Sequence, residues 1–197
     1  MTAMRRALAP ATVAVVLLGG CTTLTSDRSA PTKAQSGATQ TRSTAAVPAV
    51  ATLACGAPID GGPPPPEFEV VLDVVALPTS SAGRALAAND SGNGNTPALF
   101  AKTGLFVHAG RSFDLVVPPE AGPGVAIGWG NGTAAPGRRF VVPGCADQYR
   151  TGWLAYPGGY WTDRALCLPL TVRAGGREKQ VQIGIGTPCP GQEPPAS

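Results

Sequence analysis

What most constrains this chain is a rhythm. Beyond residue 53, short apolar runs alternate with clusters of Gly, Pro and Asn, and no stretch sustains a 3.6-residue period. The candidate strands are 67–75, 98–107, 113–117, 125–129, 138–142, 153–156, 160–162, 168–173 and 179–185. With 26 Gly and 21 Pro among 197 residues, long helices are disfavoured and turn formers stand at every break. The expected fold is all-β: an antiparallel β-sandwich, immunoglobulin-like or related.

The first strand is the most legible. Phe68, Val70, Leu72 and Val74 alternate with Glu67, Glu69 and Asp73. That predicts one continuous strand with the apolar set inside and the carboxylates on a solvated face. A tetraproline, 63–66, leads into it as a stiff extended segment. Turn chemistry suggests a tight hairpin at Asn131-Gly132, a hairpin between Tyr156 and Tyr160 closed by Pro157-Gly158-Gly159, and a turn at Gly175-Gly176. A turn of helix fits 82–88. The polar stretch 88–97 departs from a calcium loop, because Gly92 and Ala101 stand where ligands are needed, and reads as a loop without metal.

The N-terminal segment has a different character. Arg5 and Arg6 precede an apolar run, 7–18, too short to span a bilayer, and Leu18-Gly19-Gly20-Cys21 closes it. This pattern resembles the lipobox of bacterial lipoprotein signals. The resemblance implies a signal peptide, 1–20, and cleavage before Cys21. It further implies a diacylglyceryl (palmitate-type) anchor on that cysteine, placing the protein at the outer face of the cell membrane. The Arg pair leaves both the Sec and the twin-arginine route open. The Ala- and Pro-rich composition resembles that of actinobacterial lipoproteins. Residues 21–52 then read as the lipidated cysteine and a disordered tether, lacking large apolar side chains and reaching about 30 Å as a coil. The β domain occupies 53–197.

With Cys21 assigned to lipid, Cys55, Cys145, Cys167 and Cys189 remain, an even number in an oxidising setting, so two disulfides are expected. Three connectivities are open. The favoured one joins Cys145 to Cys167, across the base of the aromatic segment, and Cys55 to Cys189, tying the first ordered residues to the last. No CxxC pair is present, which disfavours zinc.

The net charge of +3 is misleading, because it resides in the signal and tether: from Leu53 on, ten basic residues face eleven acidic ones. A nearly neutral domain has no footprint for nucleic acid. Catalytic motifs are also missing. The only histidine is His108, and HExxH, GxSxG and SxxK are absent, as is any cofactor motif. The domain therefore reads as non-enzymatic, the alternative being an envelope hydrolase with an unfamiliar site near His108 and Asp114.

Every Trp and Tyr lies between residues 129 and 161: Trp129, Tyr149, Trp153, Tyr156, Tyr160 and Trp161. Such rings either fill the core beneath Gly-rich strands or form a platform for sugar rings or a protein partner. Trp153 and Tyr156 fall on opposite faces of one short strand, so the set cannot all face outward. The functional expectation is a lipid-anchored module that binds a cell-wall glycan or an envelope protein.

Overall fold

The strands form where apolar residues alternate, but the chain does not reverse at every glycine. The computed structural model describes residues 49–92, 97–131 and 135–196, all within one compact unit, 42–197. In chain order the strands are β1 (Val50–Thr52), β2 (Glu69–Val71), β3 (Val75–Leu77), β4 (Asn89–Asp90), β5 (Leu99–Lys102), β6 (Leu105–His108) and β7 (Phe113–Val116). They continue as β8 (Val125–Trp129), β9 (Arg139–Val142), β10 (Trp153–Tyr156), β11 (Gly158–Thr162), β12 (Leu166–Ala174) and β13 (Arg177–Ile185). Two 3-10 turns, Ser80–Ala82 and Pro119–Ala121, are the only helical segments among the described residues.

The fold is all-β. Three sheets have the orders β1-β9-β7-β12-β13, β10-β6-β3-β2 and β4-β5-β11-β8. All pairings between these strands are antiparallel except that of β1 with β9, so the five-stranded sheet is mixed; isolated bridges of Arg84 with Glu193 and Leu86 with Ile185 are also parallel. One buried cluster draws on all three sheets, with Leu115, Phe140, Leu170 and Ile183 from the first, Leu77, Leu105 and Leu154 from the second, and Ile127 and Tyr160 from the third. Strand structure begins upstream of residue 53. β1 buries only Ala51, too small an apolar signal to stand out from the tether.

Several expectations are corrected. The run 67–75 is two strands, because Leu72 and Asp73 take left-handed backbone angles (φ 51° and 59°) and reverse the chain. Val71 and Val75 are consequently inside, whereas Val70 is 45% exposed. Of the segment 82–88, only Ala82 is helical, as the end of the 3-10 turn; beyond Gly83 the chain lies along the end of β13, where Leu86 exchanges backbone hydrogen bonds with Gly184 and Gly186, both 2.8 Å. The only helical turn there lies earlier, where the Thr79 hydroxyl accepts the Ser81 N–H. β8 and β9 enter different sheets, yet Ile127 and Gly137 exchange backbone hydrogen bonds (both 2.9 Å) in an antiparallel bridge across the connection that holds Asn131; Gly132 lies outside the described residues, as do 93–96 of the polar loop. Gly175 and Gly176, both with positive φ, do turn β12 into β13.

The Tyr156/Tyr160 hairpin does not form either. β10 pairs with β6 and β11 with β5, and the register carries through: Tyr156 faces Leu105, and Gly159 faces Lys102. Thr103 N–H donates to Gly158 O (2.9 Å) between the two ladders. Segments 98–108 and 153–162 are thus two long neighbouring strands, broken only where Pro157 has no N–H to give. The glycines serve close approach: a β-carbon on Gly158 would fall on the carbonyl oxygen of Gly128, and one on Gly159 on that of Ala101.

Two disulfides form, but with another connectivity. Cys55 joins Cys145 and Cys167 joins Cys189, at Cα separations of 5.3 and 5.0 Å. The chain leaving β1 stays beside β9, with Leu53 N–H donating to Val141 O (2.9 Å), and this brings Cys55 to Cys145. Cys167 lies opposite Gly184, and the chain after β13 turns back to bring Cys189 to it. The two bonds indicate an oxidising environment.

Candidate functional site

The aromatic residues divide between core and surface. Trp129, Tyr156 and Tyr160 are buried. The Trp129 indole N–H donates to Thr103 O (3.1 Å), and its ring meets Phe140 and Tyr160 edge-on at 5.4 and 5.3 Å. The Tyr156 hydroxyl donates to Cys55 O (3.2 Å), whereas the Tyr160 hydroxyl is buried without a partner, and burial pushes its pKa well up. These three hold the fold and offer nothing to a ligand.

Trp153 and Trp161 lie on the other face of the same long strand. Alternation turns Leu154, Tyr156, Tyr160 and Thr162 inward and leaves Trp153 and Trp161 half-buried outside. Each stands opposite a ring of the neighbouring strand. Trp153 pairs with His108 (5.1 Å between centroids) and Trp161 with Phe100 (4.6 Å). Between them Phe106, opposite Ala155, meets Phe68 edge-on at 5.7 Å. The result is an outward row of half-exposed rings spanning eight residues, about 27 Å at strand rise. Phe68, Phe100 and Phe106 were outside the expected patch. They become visible only when 98–107 is laid beside 153–162 in register.

Tyr149 is 45% exposed and belongs elsewhere. It sits in the loop 146–152, its ring over Gly61 and its hydroxyl donating to Pro58 O (3.4 Å). Asp147 organises this loop by accepting the N–H groups of Gly152 (2.8 Å) and Thr151 (3.2 Å). These bonds, Gly152 first, hold its carboxyl below the usual aspartate range. Arg150 follows in a left-handed conformation (φ 58°).

His108 is placed by packing. Its ring lies against Trp153, and Nδ1 is 3.2 Å from Ala109 O. No hydrogen bond joins it to Asp114 or to Ser80, Ser81, Ser91 or Ser112 among the described residues. Asp114 instead receives the Arg139 guanidinium at 2.6 Å.

Three depressions lie near the free edges and turns. One of about 450 Å³ is bordered by Ser112, Asp114, Pro143, Arg173, Arg177 and Glu178. A second, of about 320 Å³, shares Ser112, Gly175 and Arg177 and adds Leu72, Asp73, Gly110 and Arg111. The third, about 310 Å³, is a polar notch around Glu69, Thr79 and Lys179. There Glu69 accepts from Lys179 Nζ and Thr79 Oγ1, both at 2.6 Å. Burial raises the Glu69 pKa, but the hydrogen bonds of Lys179, Thr79 and Ser81 together with the Lys179 charge outweigh it and leave the value lowered. The chain matches no protein-family model and no curated protein.

Proposed function

We propose that this is an exported lipoprotein, held at the outer face of the cell membrane by a diacylglyceryl group on Cys21. Its β-sandwich domain binds an envelope polymer non-enzymatically. The observation that carries the binding reading is the outward row Trp153/His108, Phe106/Phe68 and Trp161/Phe100 along one strand pair. Aromatic rings give a wide contact area at low entropic cost and suit the flat apolar faces of sugar rings. A glycan is favoured over a protein partner because the rings follow a line, as an extended polymer does.

The test is retention of the detergent-solubilised full chain on purified cell-wall glycan. Trp153→Ala and Trp161→Ala should each weaken retention about tenfold, the order of a binding hot spot. Unaltered retention in the double variant, or none in the parent, removes the reading. The anchor is tested separately: labelled palmitate should enter the parent and not Cys21→Ala.

A further inference from the structure

The three non-glycine residues with left-handed backbone among the described residues are Leu72, Asp73 and Arg150, and all three lie in turns at one end of the domain. Strained backbone of this kind persists where the surroundings impose it and gathers at binding sites. At the same end the turn after β2, the turn after β6 and the turn after β12 enclose the 320 Å³ cleft.

The two adjoining clefts share Arg177 but differ in how their other charges are paired. In the larger one, Arg173 is bound to Glu178 (2.8 Å), and Asp114 is held by Arg139. In the smaller one, Arg111 and Arg177 have no carboxylate partner among the described residues. Arg177 is aimed by a carbonyl, its Nη2 donating to Leu72 O (3.1 Å), which leaves most of its five donors free. Asp73 is the one acidic residue of this lining and is likewise without a cation, so the lining has a net positive charge. Ser112 adds a hydroxyl. The site is also roomy: nothing lies within 4 Å of where a β-carbon would stand on Gly110 or Gly175.

We infer that this cleft binds an anionic oxygen group, phosphate or carboxylate, carried by an extended polymer, with Arg111 and Arg177 as its cations. Guanidinium groups are suited to such groups because their N–H donors match two oxygens at once. The polymer follows from position. Arg111 N–H donates to His108 O (3.2 Å), and His108 is paired with Trp153, so the cleft opens where the aromatic row ends. A sugar polymer lying on the row would present its charged substituent here. The polymer rests on the proposed function; the anion does not.

The experiment is an NMR titration of the 15N-labelled full chain in neutral detergent micelles. The probes are inorganic phosphate and polygalacturonate, with dextran as the uncharged control. The amides of Gly110, Arg111, Ser112 and Gly175 should shift saturably with both anions and not with dextran. Arg111→Ala and Arg177→Ala should each weaken binding about tenfold, as expected for loss of a charge-assisted hydrogen bond. Arg111→Lys should retain part of it, and Asp73→Asn should tighten it. The same spectra report whether each variant is folded. Absent shifts, or shifts that persist in a folded Arg111→Ala/Arg177→Ala variant, overturn the anion site. Binding only to phosphatidylglycerol bicelles overturns the polymer in favour of a membrane. Phosphate binding with no glycan retention leaves the cleft standing and removes the aromatic-row reading; the converse removes the cleft alone.

Discussion

At the scale of single residues, the clearest anomaly lies in the core. Tyr160 and Thr162 point inward from β11, and neither hydroxyl has a hydrogen-bond partner among the described residues. A buried hydroxyl that gave up water and gained nothing costs stability, so its removal is favourable. Tyr160→Phe and Thr162→Val should each stabilise the domain by about 1 kcal/mol, read as a raised urea midpoint at constant slope. Carboxylates act in the opposite sense. Glu69 and Asp147 are both held below their ordinary values, which are 4.5 and 3.8. A carboxyl with a lowered folded pKa contributes stability that is complete above its unfolded value and is lost as pH falls through the folded one. The melting temperature should therefore decline on acidification below about pH 4.5, and less steeply in Glu69→Gln and Asp147→Asn. A parallel decline in parent and variants would assign the acid sensitivity elsewhere.

Among elements, most strand positions were legible in the sequence, but of the strand partners only β12 with β13 was, through the Gly175-Gly176 turn. β8 and β10 stand at their expected bounds, since their apolar runs end at Gly or Pro. The 67–75 reading failed because alternation continues in number through a turn built from Leu72 and Asp73, where no Gly or Asn marks the reversal. Pro157-Gly158-Gly159 misled in the other direction: turn formers sit mid-strand because neighbouring backbones press too close for a side chain. Of the aromatic candidate, clustering in sequence was real, but alternation sends Tyr156 and Tyr160 inward and Trp153 and Trp161 outward. The phenylalanines that complete the row come from distant segments, Phe100 and Phe106 from the neighbouring strand about fifty residues away and Phe68 from just before β2, beyond any local pattern. Disulfide connectivity was hidden for the same reason, being set by the parallel docking of β1 on β9. The bonds close segments of 90 and 22 residues. In the chain-entropy account those closures stabilise by about 4.5 and about 3.5 kcal/mol. Replacing Cys55 and Cys145 by Ala should thus lower stability more than replacing Cys167 and Cys189. Peptide mapping without reduction should recover these two linked pairs.

At the scale of the whole molecule, the two proposed sites share one end-to-end arrangement: rings along the strand pair, then an arginine-lined cleft beyond His108. Neither site requires the domain to change shape, which fits a scaffold closed by two disulfides. The Cys55–Cys145 bond also has a mechanical meaning. Tension applied from the N-terminal side first meets β1, a three-residue strand at a sheet edge, and can strip it away. It then reaches Cys55 and passes through sulfur to Cys145. Residues 56–144, which include Trp129 and the whole of β2 through β9, are bypassed by this covalent path and are loaded only through a ligand held on Phe68, Phe100, Phe106 or Arg111. Residues 49–55 release about 25 Å of slack at most before the covalent stop. A domain pulled from its N-terminal side would lengthen by that amount before the disulfide takes the load.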